Sequence, residues 1–214
     1  MIGIIDYDAG NVNSVMKACE KLGGKTVLSS DISVLDECSS LILPGVGSFG
    51  SAVKNLKSAK LDDYIKSAVD SGKNFLGICL GMQMLFDKSF ENGEQDGLAL
   101  LHGDVVKFGS TDDAAWNKEF KIPHMGWNKL ISNRDNDSIC TDIGEGEYAY
   151  FVHSYYVRPD NWDDVVYYAD YGVRVPGVVR RGNIFGMQFH PEKSSHTGLQ
   201  LLKNFLKEGE RLAD

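Results

Sequence analysis

Proline and cysteine are scarce in this chain, with 5 and 4 among 214 residues. Cys19, Cys38, Cys79 and Cys140 form no C-x-x-C pair and no metal-ligand spacing, so no metal and no disulfide framework is expected. A reducing cytoplasm suits such thiols. Positive charge is also short. The 22 Lys and Arg face 30 Asp and Glu, leaving −8, which argues against non-specific nucleic-acid binding and anionic membrane surfaces. No apolar run approaches the ~20 residues of a membrane span, and the opening Met1-Ile2-Gly3-Ile4-Ile5 is too short for a signal-peptide core. Repeats and low-complexity linkers are absent.

What remains is ordinary for a globular protein, 43% hydrophobic and 24% charged. The length suits one domain over residues 1–214. Ile2 to Asp6, Lys25 to Ser29, Ser40 to Leu43 and Asn74 to Ile78 read as strands. Between them, apolar positions recur at helical spacing: Val12, Val15, Met16, Cys19 and Leu22; then Phe49, Ala52, Val53 and Leu56; then Leu61, Tyr64, Ile65, Ala68 and Val69. Alternation of this kind predicts a parallel sheet covered on both faces, with ligands beyond the carboxyl ends of its strands. Asp6, Pro44-Gly45-Val46-Gly47 and Cys79 fall at that edge. The second half is strand-rich: Asp104 to Phe108, Tyr148 to Val152, Tyr155 to Arg158, Val165 to Tyr171, Val175 to Arg180 and Ile184 to His190. Arg181-Gly182-Asn183 joins the last two as a hairpin. Gly109 to Lys121 and Asn133 to Gly146 read as polar, mobile loops, and a last helix carries Leu199, Leu202, Phe205 and Leu206.

Gly77-Ile78-Cys79-Leu80-Gly81 is the cysteine form of a nucleophile elbow, placed between the strand Asn74 to Ile78 and a helix starting over Leu80 to Phe86. The strained turn needs small residues two positions away on either side, and the helix start favours thiolate. With 23 Gly and 4 Cys, chance supplies such a pattern about 0.05 times. Taken alone, a buried structural cysteine remains the alternative. Gly45-Val46-Gly47-Ser48-Phe49-Gly50 matches G-x-G-x-x-G, but its acid, Asp70, lies in a helix and not at the end of the following strand, so a dinucleotide site is disfavoured. The same peptides can present the N–H of Val46 or Gly47 to a developing negative charge; a plain Pro-Gly turn is the bland reading. His190-Pro191-Glu192 offers a base and its orienting acid to the thiol, against the alternative of an exposed histidine near a surface acid. A zinc deaminase would need P-C-x-x-C downstream, and no cysteine follows Cys140.

Together, Gly77-Ile78-Cys79-Leu80-Gly81-Met82-Gln83 and His190-Pro191-Glu192 resemble the class I (triad) glutamine amidotransferases. The resemblance extends through Ile4 to Asn11, Leu43 to Phe49, Pro123 to Asn128 and Phe151 to Tyr156, so it covers nearly the whole chain. It implies a flavodoxin-like α/β fold, with a central mostly parallel sheet, helices on both faces and an additional antiparallel sheet. It also implies glutamine hydrolysis through a Cys79 thioester, with His190 as base and Glu192 as orienter. The oxyanion hole would come from Leu80 with Val46 or Gly47, and Gly45, Gly47, Gln83 and Glu91 would contact glutamine. On bare sequence Gln83 reads as an exposed helix residue and Glu91 as a loop charge. No cofactor is implied. Met82 and Pro123 to Asn128 are most similar to the members that pass ammonia to a (β/α)₈ cyclase subunit, forming imidazole glycerol phosphate and an aminoimidazole carboxamide ribotide in histidine biosynthesis. Trp127 and Tyr150 would face that partner and line the ammonia path, although core positions are the default for such aromatics. Asp8 stands where those members usually have Gly. A glutaminase for another synthase, a cysteine hydrolase on a related fold and a flavodoxin-like binding module are the rival readings.

Overall fold

The computed structural model describes residues 1–8, 11–110 and 119–211. Its first half is β1 (Ile2–Ile5), α1 (Val12–Lys21), β2 (Thr26–Ser29), α2 (Ile32–Asp36), β3 (Ser40–Gly45), α3 (Phe49–Ser58), α4 (Leu61–Asp70) and β4 (Asn74–Cys79). Then come α5 (Leu80–Gln83), β5 (Lys88–Ser89), β6 (Gln95–Asp96), β7 (Gly103–Lys107), β8 (His124–Lys129), β9 (Ile131–Ser132), β10 (Tyr148–His153) and β11 (Tyr155–Pro159). The chain closes with β12 (Val165–Asp170), β13 (Arg174–Arg181), β14 (Ile184–Met187) and α6 (Ser195–Arg211).

Among the described residues the main sheet runs β2-β1-β3-β4-β14-β13-β12-β9, parallel from β2 to β14 and antiparallel beyond. Parallel strands covered on both sides need apolar residues of both parities. β3 accordingly sends Leu41 and Leu43 into the core beneath α3 and α4, and Ile42 into the core beneath α1 and α6. The periodic faces expected of α3 and α4 are the buried ones, residue for residue. A second, four-stranded sheet runs β11-β7-β5-β6, and β8 pairs antiparallel with β10 as a separate ribbon. No helix among the described residues is long and apolar enough to cross a membrane.

Several expectations change. The helix begun at Leu80 ends at Gln83, because the carbonyls of Met84, Leu85 and Phe86 are taken by the N–H groups of Leu98, Leu100 and Ala99 from an incoming segment. The last strand stops at Met187, leaving Gln188 to His190 as an irregular exit. β8, which was not expected as a strand, lines up with β10 from His124↔His153 to Lys129↔Tyr148. Asn133 to Gly146 is an anchored segment and not a free loop. It carries a 3₁₀ turn at Ser138–Cys140, buries Ile139 and ties Asp137 to Arg134 and Arg180. Of the other expected loop, residues 111–118 lie outside the described residues. The Gly182-Asn183 turn does join β13 to β14, with Arg181 opposite Ile184.

Candidate active site

The site forms where β3, β4 and β14 end side by side. Gly45 lies opposite Cys79, and Ile78 opposite Met187, so the peptides after β3, the elbow and the exit from β14 share one edge. Cys79 has φ 55° and ψ −111°, a conformation costly for a residue with a Cβ. It is held there by contact on both sides. A Cβ on Gly77 would stand 2.5 Å from the Gly81 carbonyl oxygen, and one on Gly81 would stand 1.9 Å from the Leu43 carbonyl oxygen. The two glycines therefore let α5 fold back against β3 and β4, as the elbow pattern requires. With only one turn in α5, however, the helix end gives the sulfur little support.

His190 supplies that support. Pro191–Lys193 forms a 3₁₀ turn that brings the Glu192 carboxylate 3.0 Å from His190 Nδ1, both side chains almost fully buried. Ser194 closes the turn by donating its hydroxyl to the His190 carbonyl at 2.8 Å, while the Ser194 hydroxyl oxygen accepts the Tyr150 N–H at 3.0 Å. Burial pulls the imidazole pKa down, but hydrogen bonds and opposite charge from Cys79 and Glu192 outweigh it and push His190 up to about 9. Burial likewise raises Glu192, yet His190 and Asn11 hold it below the ordinary carboxylate value. Asn11 occupies the N-cap of α1 without capping it; its side-chain amide donates to Glu192 Oε1 at 2.8 Å. The Cys79 thiol, the His190 imidazole and the Glu192 carboxylate thus meet at one edge of the sheet, with His190 between the other two.

A cavity of about 480 Å³ opens over Cys79 and His190. Val46, Gly47, Leu80, Gln83 and Glu91 line it on the elbow side, and Val152 to Tyr155 with Pro123 form the opposite wall. Gly45, expected to contact glutamine, is not part of this lining but is paired with Cys79 in the sheet, and Glu192 meets the cavity only through His190. Val46 is exposed and Gly47 turns with φ 99°. Gln83 is buried, not exposed: its amide donates to the Tyr155 carbonyl at 2.9 Å and to Gln188 Oε1 at 3.2 Å. Glu91 is more than a loop charge, since its carboxylate accepts the Phe49 N–H at 2.6 Å and caps α3. Trp127 lies on the surface, edge-to-face with half-buried Tyr150 at 5.9 Å. His153 reaches the cavity wall but is no base. Burial lowers it to about 4, and its Nδ1–H donates to the Tyr155 carbonyl at 2.7 Å. Its Nε2 accepts from His124 Nδ1 at 3.1 Å, a neutral pair that sequence reading missed. Asn11 and Ser194 were missed too, because their partners are distant or are backbone atoms.

The family model for class-I glutamine amidotransferases matches residues 3–208. The chain belongs to that family. Among curated proteins, this amidotransferase is 50% identical over 206 residues to the imidazole glycerol phosphate synthase subunit HisH of Geobacillus kaustophilus, covering 96% of each chain. It is 49% identical over 207 residues to the same subunit of Bacillus subtilis, covering 97% of this chain and 96% of that one. Among solved structures, a glutamine amidotransferase superposes with TM-score 0.72 at 19% identity, covering 98% of both chains. The PurLQS structure from Thermotoga maritima gives TM-score 0.71 at 22% identity, covering 97% of both. At such identities these structures speak for the fold alone, the α/β amidotransferase fold expected from the sequence.

Proposed function

We propose that this amidotransferase is the glutaminase subunit of an imidazole glycerol phosphate synthase, acting as one domain in the cytoplasm. The observation that carries the reaction is the convergence of Cys79, His190 and Glu192 under one cavity; the similarity to HisH subunits supports the acceptor. Cys79 sulfur attacks the side-chain amide of glutamine while His190, paired with the thiolate, holds the proton that the leaving ammonia will need. The tetrahedral oxyanion is met by the N–H of Leu80 and by that of Val46 or Gly47, with Gly45 beneath them. Losing one such donor typically costs on the order of 10²–10³ in rate. His190 then draws a proton from the water that cleaves the thioester, and Glu192, itself steadied by Asn11, keeps the ring in register. Gln83 and Glu91 border the glutamine side of the cavity.

Ammonia passes to a (β/α)₈ cyclase subunit docked on the β8–β10 ribbon, near Trp127 and Tyr150. Free ammonia would be protonated in water, so turnover without the partner is low and rises when the cyclase holds its nucleotide. The Gly45–Val46 peptide, next to a glycine free to turn, is the element that switches. The test is glutamate release by wild type and Cys79→Ala, each alone and with a purified cyclase and its nucleotide. Wild type should be strongly stimulated and Cys79→Ala inactive throughout. Activity surviving in Cys79→Ala sinks the thioester mechanism, and full activity without the cyclase sinks the gating.

A further inference from the structure

We infer that Tyr7 is a positioning residue for the oxyanion side of the site. This rests on the reading that the N–H of Val46 serves the oxyanion. Tyr7 follows β1, the neighbour of β3, and is buried at the carboxyl edge of the sheet. Its hydroxyl donates to the Pro44 carbonyl at 2.7 Å. A Cβ on Gly45 would lie only 2.8 Å from that hydroxyl oxygen, so the phenol sits directly against the residue paired with Cys79. The Tyr7 backbone is held as well: Asn55, on α3, donates its amide to the Tyr7 carbonyl at 3.1 Å. Burial, and next the negative charge of Cys79, hold the phenol pKa well above its ordinary value. The hydroxyl therefore stays a donor wherever the enzyme works.

The consequence follows from peptide geometry. In a trans peptide the carbonyl and the following N–H point in opposite directions. Pinning the Pro44 oxygen therefore fixes the Gly45 N–H and makes the Pro44–Gly45 peptide the immobile end of the strand. The Gly45–Val46 peptide is then the first that can turn over, and the swing of the Val46 N–H starts from a fixed origin. Without the hydroxyl, the Pro44 oxygen loses its buried partner and the fixed end loosens. Tyr7 does not touch the reacting atoms; it acts through Pro44 and Gly45 on the Val46 N–H.

Tyr7→Phe removes the hydroxyl and keeps the ring. In complex with the cyclase and its nucleotide, kcat should fall about tenfold with KM for glutamine within twofold of wild type. The alkylation rate of Cys79 by iodoacetamide, and its pH profile, should stay as in wild type, because the thiol answers to His190. Val46→Pro, which removes the N–H itself, should lose more, and Tyr7→Phe added to it should cost nothing further. An unchanged kcat in Tyr7→Phe overturns the proposal, as does a loss shared by alkylation, which would mark general loosening. An additive double variant overturns it too, placing the effect outside the Val46 peptide. Separately, wild-type kcat in Val46→Pro defeats the oxyanion reading beneath it, whatever Tyr7→Phe does.

Discussion

The opposite shifts of His190 and Glu192 have a sign that experiment can read. His190 rises from 6.5 to about 9 in the folded protein. Its contribution to stability is therefore complete below about 6.5 and is lost as pH climbs through 9. Glu192 is lowered from 4.5, so its contribution is present above that value and disappears as pH falls through the folded one. Urea midpoints of wild type should accordingly decline between pH 6.5 and 9.5. In Glu192→Gln that decline should flatten, since half of the partnership raising His190 is gone. The same variant should move the alkaline limb of the glutaminase profile downward and cut kcat on the order of 10²–10⁴-fold, because the amide orients the ring poorly. A limb that stays at the wild-type pH would remove Glu192 from the unit. The pairing of His190 with Glu192 was readable from the His-x-Glu spacing. Asn11 was not, since its partner lies 181 residues away. Asp8 was noticed as a departure from Gly and is explained by its φ of 62°, a left-handed position where Gly is easiest and Asp tolerated.

Elements hold these residues by contact, and the tightest contact is between α5 and β3. Gly81→Ala would drive a methyl into the Leu43 carbonyl at 1.9 Å, and the obstructing atom is backbone, not the end of a side chain that could yield. The variant should lose at least about 3 kcal/mol in urea unfolding, or fail to accumulate folded, as expected for overpacking against backbone. An unfolding curve matching wild type would mean the elbow relaxes freely, against the strain assigned to Cys79. The glycine pattern showed this need in advance, because close backbone approach leaves its mark in composition. The anchored segment Asn133 to Gly146 shows the reverse. It read as mobile because it is polar, yet Asn204 on α6 donates its amide to the Ile139 and Thr141 carbonyls at 2.8 and 2.6 Å. Nothing local announces an anchor more than sixty residues away. Asn204→Ala leaves both carbonyls unpaired, so a loss of about 1–3 kcal/mol and faster trypsin cleavage after Arg134 are expected, measured by urea midpoint and gel time course. β8 escaped notice for a related reason. Its alternation sets exposed Met125, Trp127 and Lys129 against buried or half-buried His124, Gly126 and Asn128, so the hydrophobic parity is inverted. The inner histidine is made tolerable by stacking on Phe151 and Tyr171 and by its hydrogen bond to His153.

At the scale of the whole molecule that inversion leaves one side of the ribbon apolar and facing out. Met125, Trp127 and Tyr148 are 60%, 53% and 52% exposed, high for large apolar side chains. They sit in paired rows, Met125↔Val152, Trp127↔Tyr150 and Lys129↔Tyr148, which makes a contiguous strip and not scattered single residues. The far end of β10 reaches the cavity wall at Val152 and His153, and Val46 is exposed at the cavity's other rim. A partner seated on the strip would therefore border the cavity over Cys79 and the exposed Val46. Buried aromatics usually dominate such interfaces, so Trp127→Ala should weaken the cyclase complex by about 2 kcal/mol or more, roughly thirtyfold in Kd by calorimetric titration. Because Trp127 lies outside the cavity lining, the unstimulated glutaminase rate of the isolated chain should stay within twofold of wild type. Full stimulation should return once the cyclase is raised above the new Kd. Wild-type affinity in Trp127→Ala would move the docking surface off the ribbon. Restored binding without restored stimulation would instead make Trp127 part of the gate and not merely of the seat.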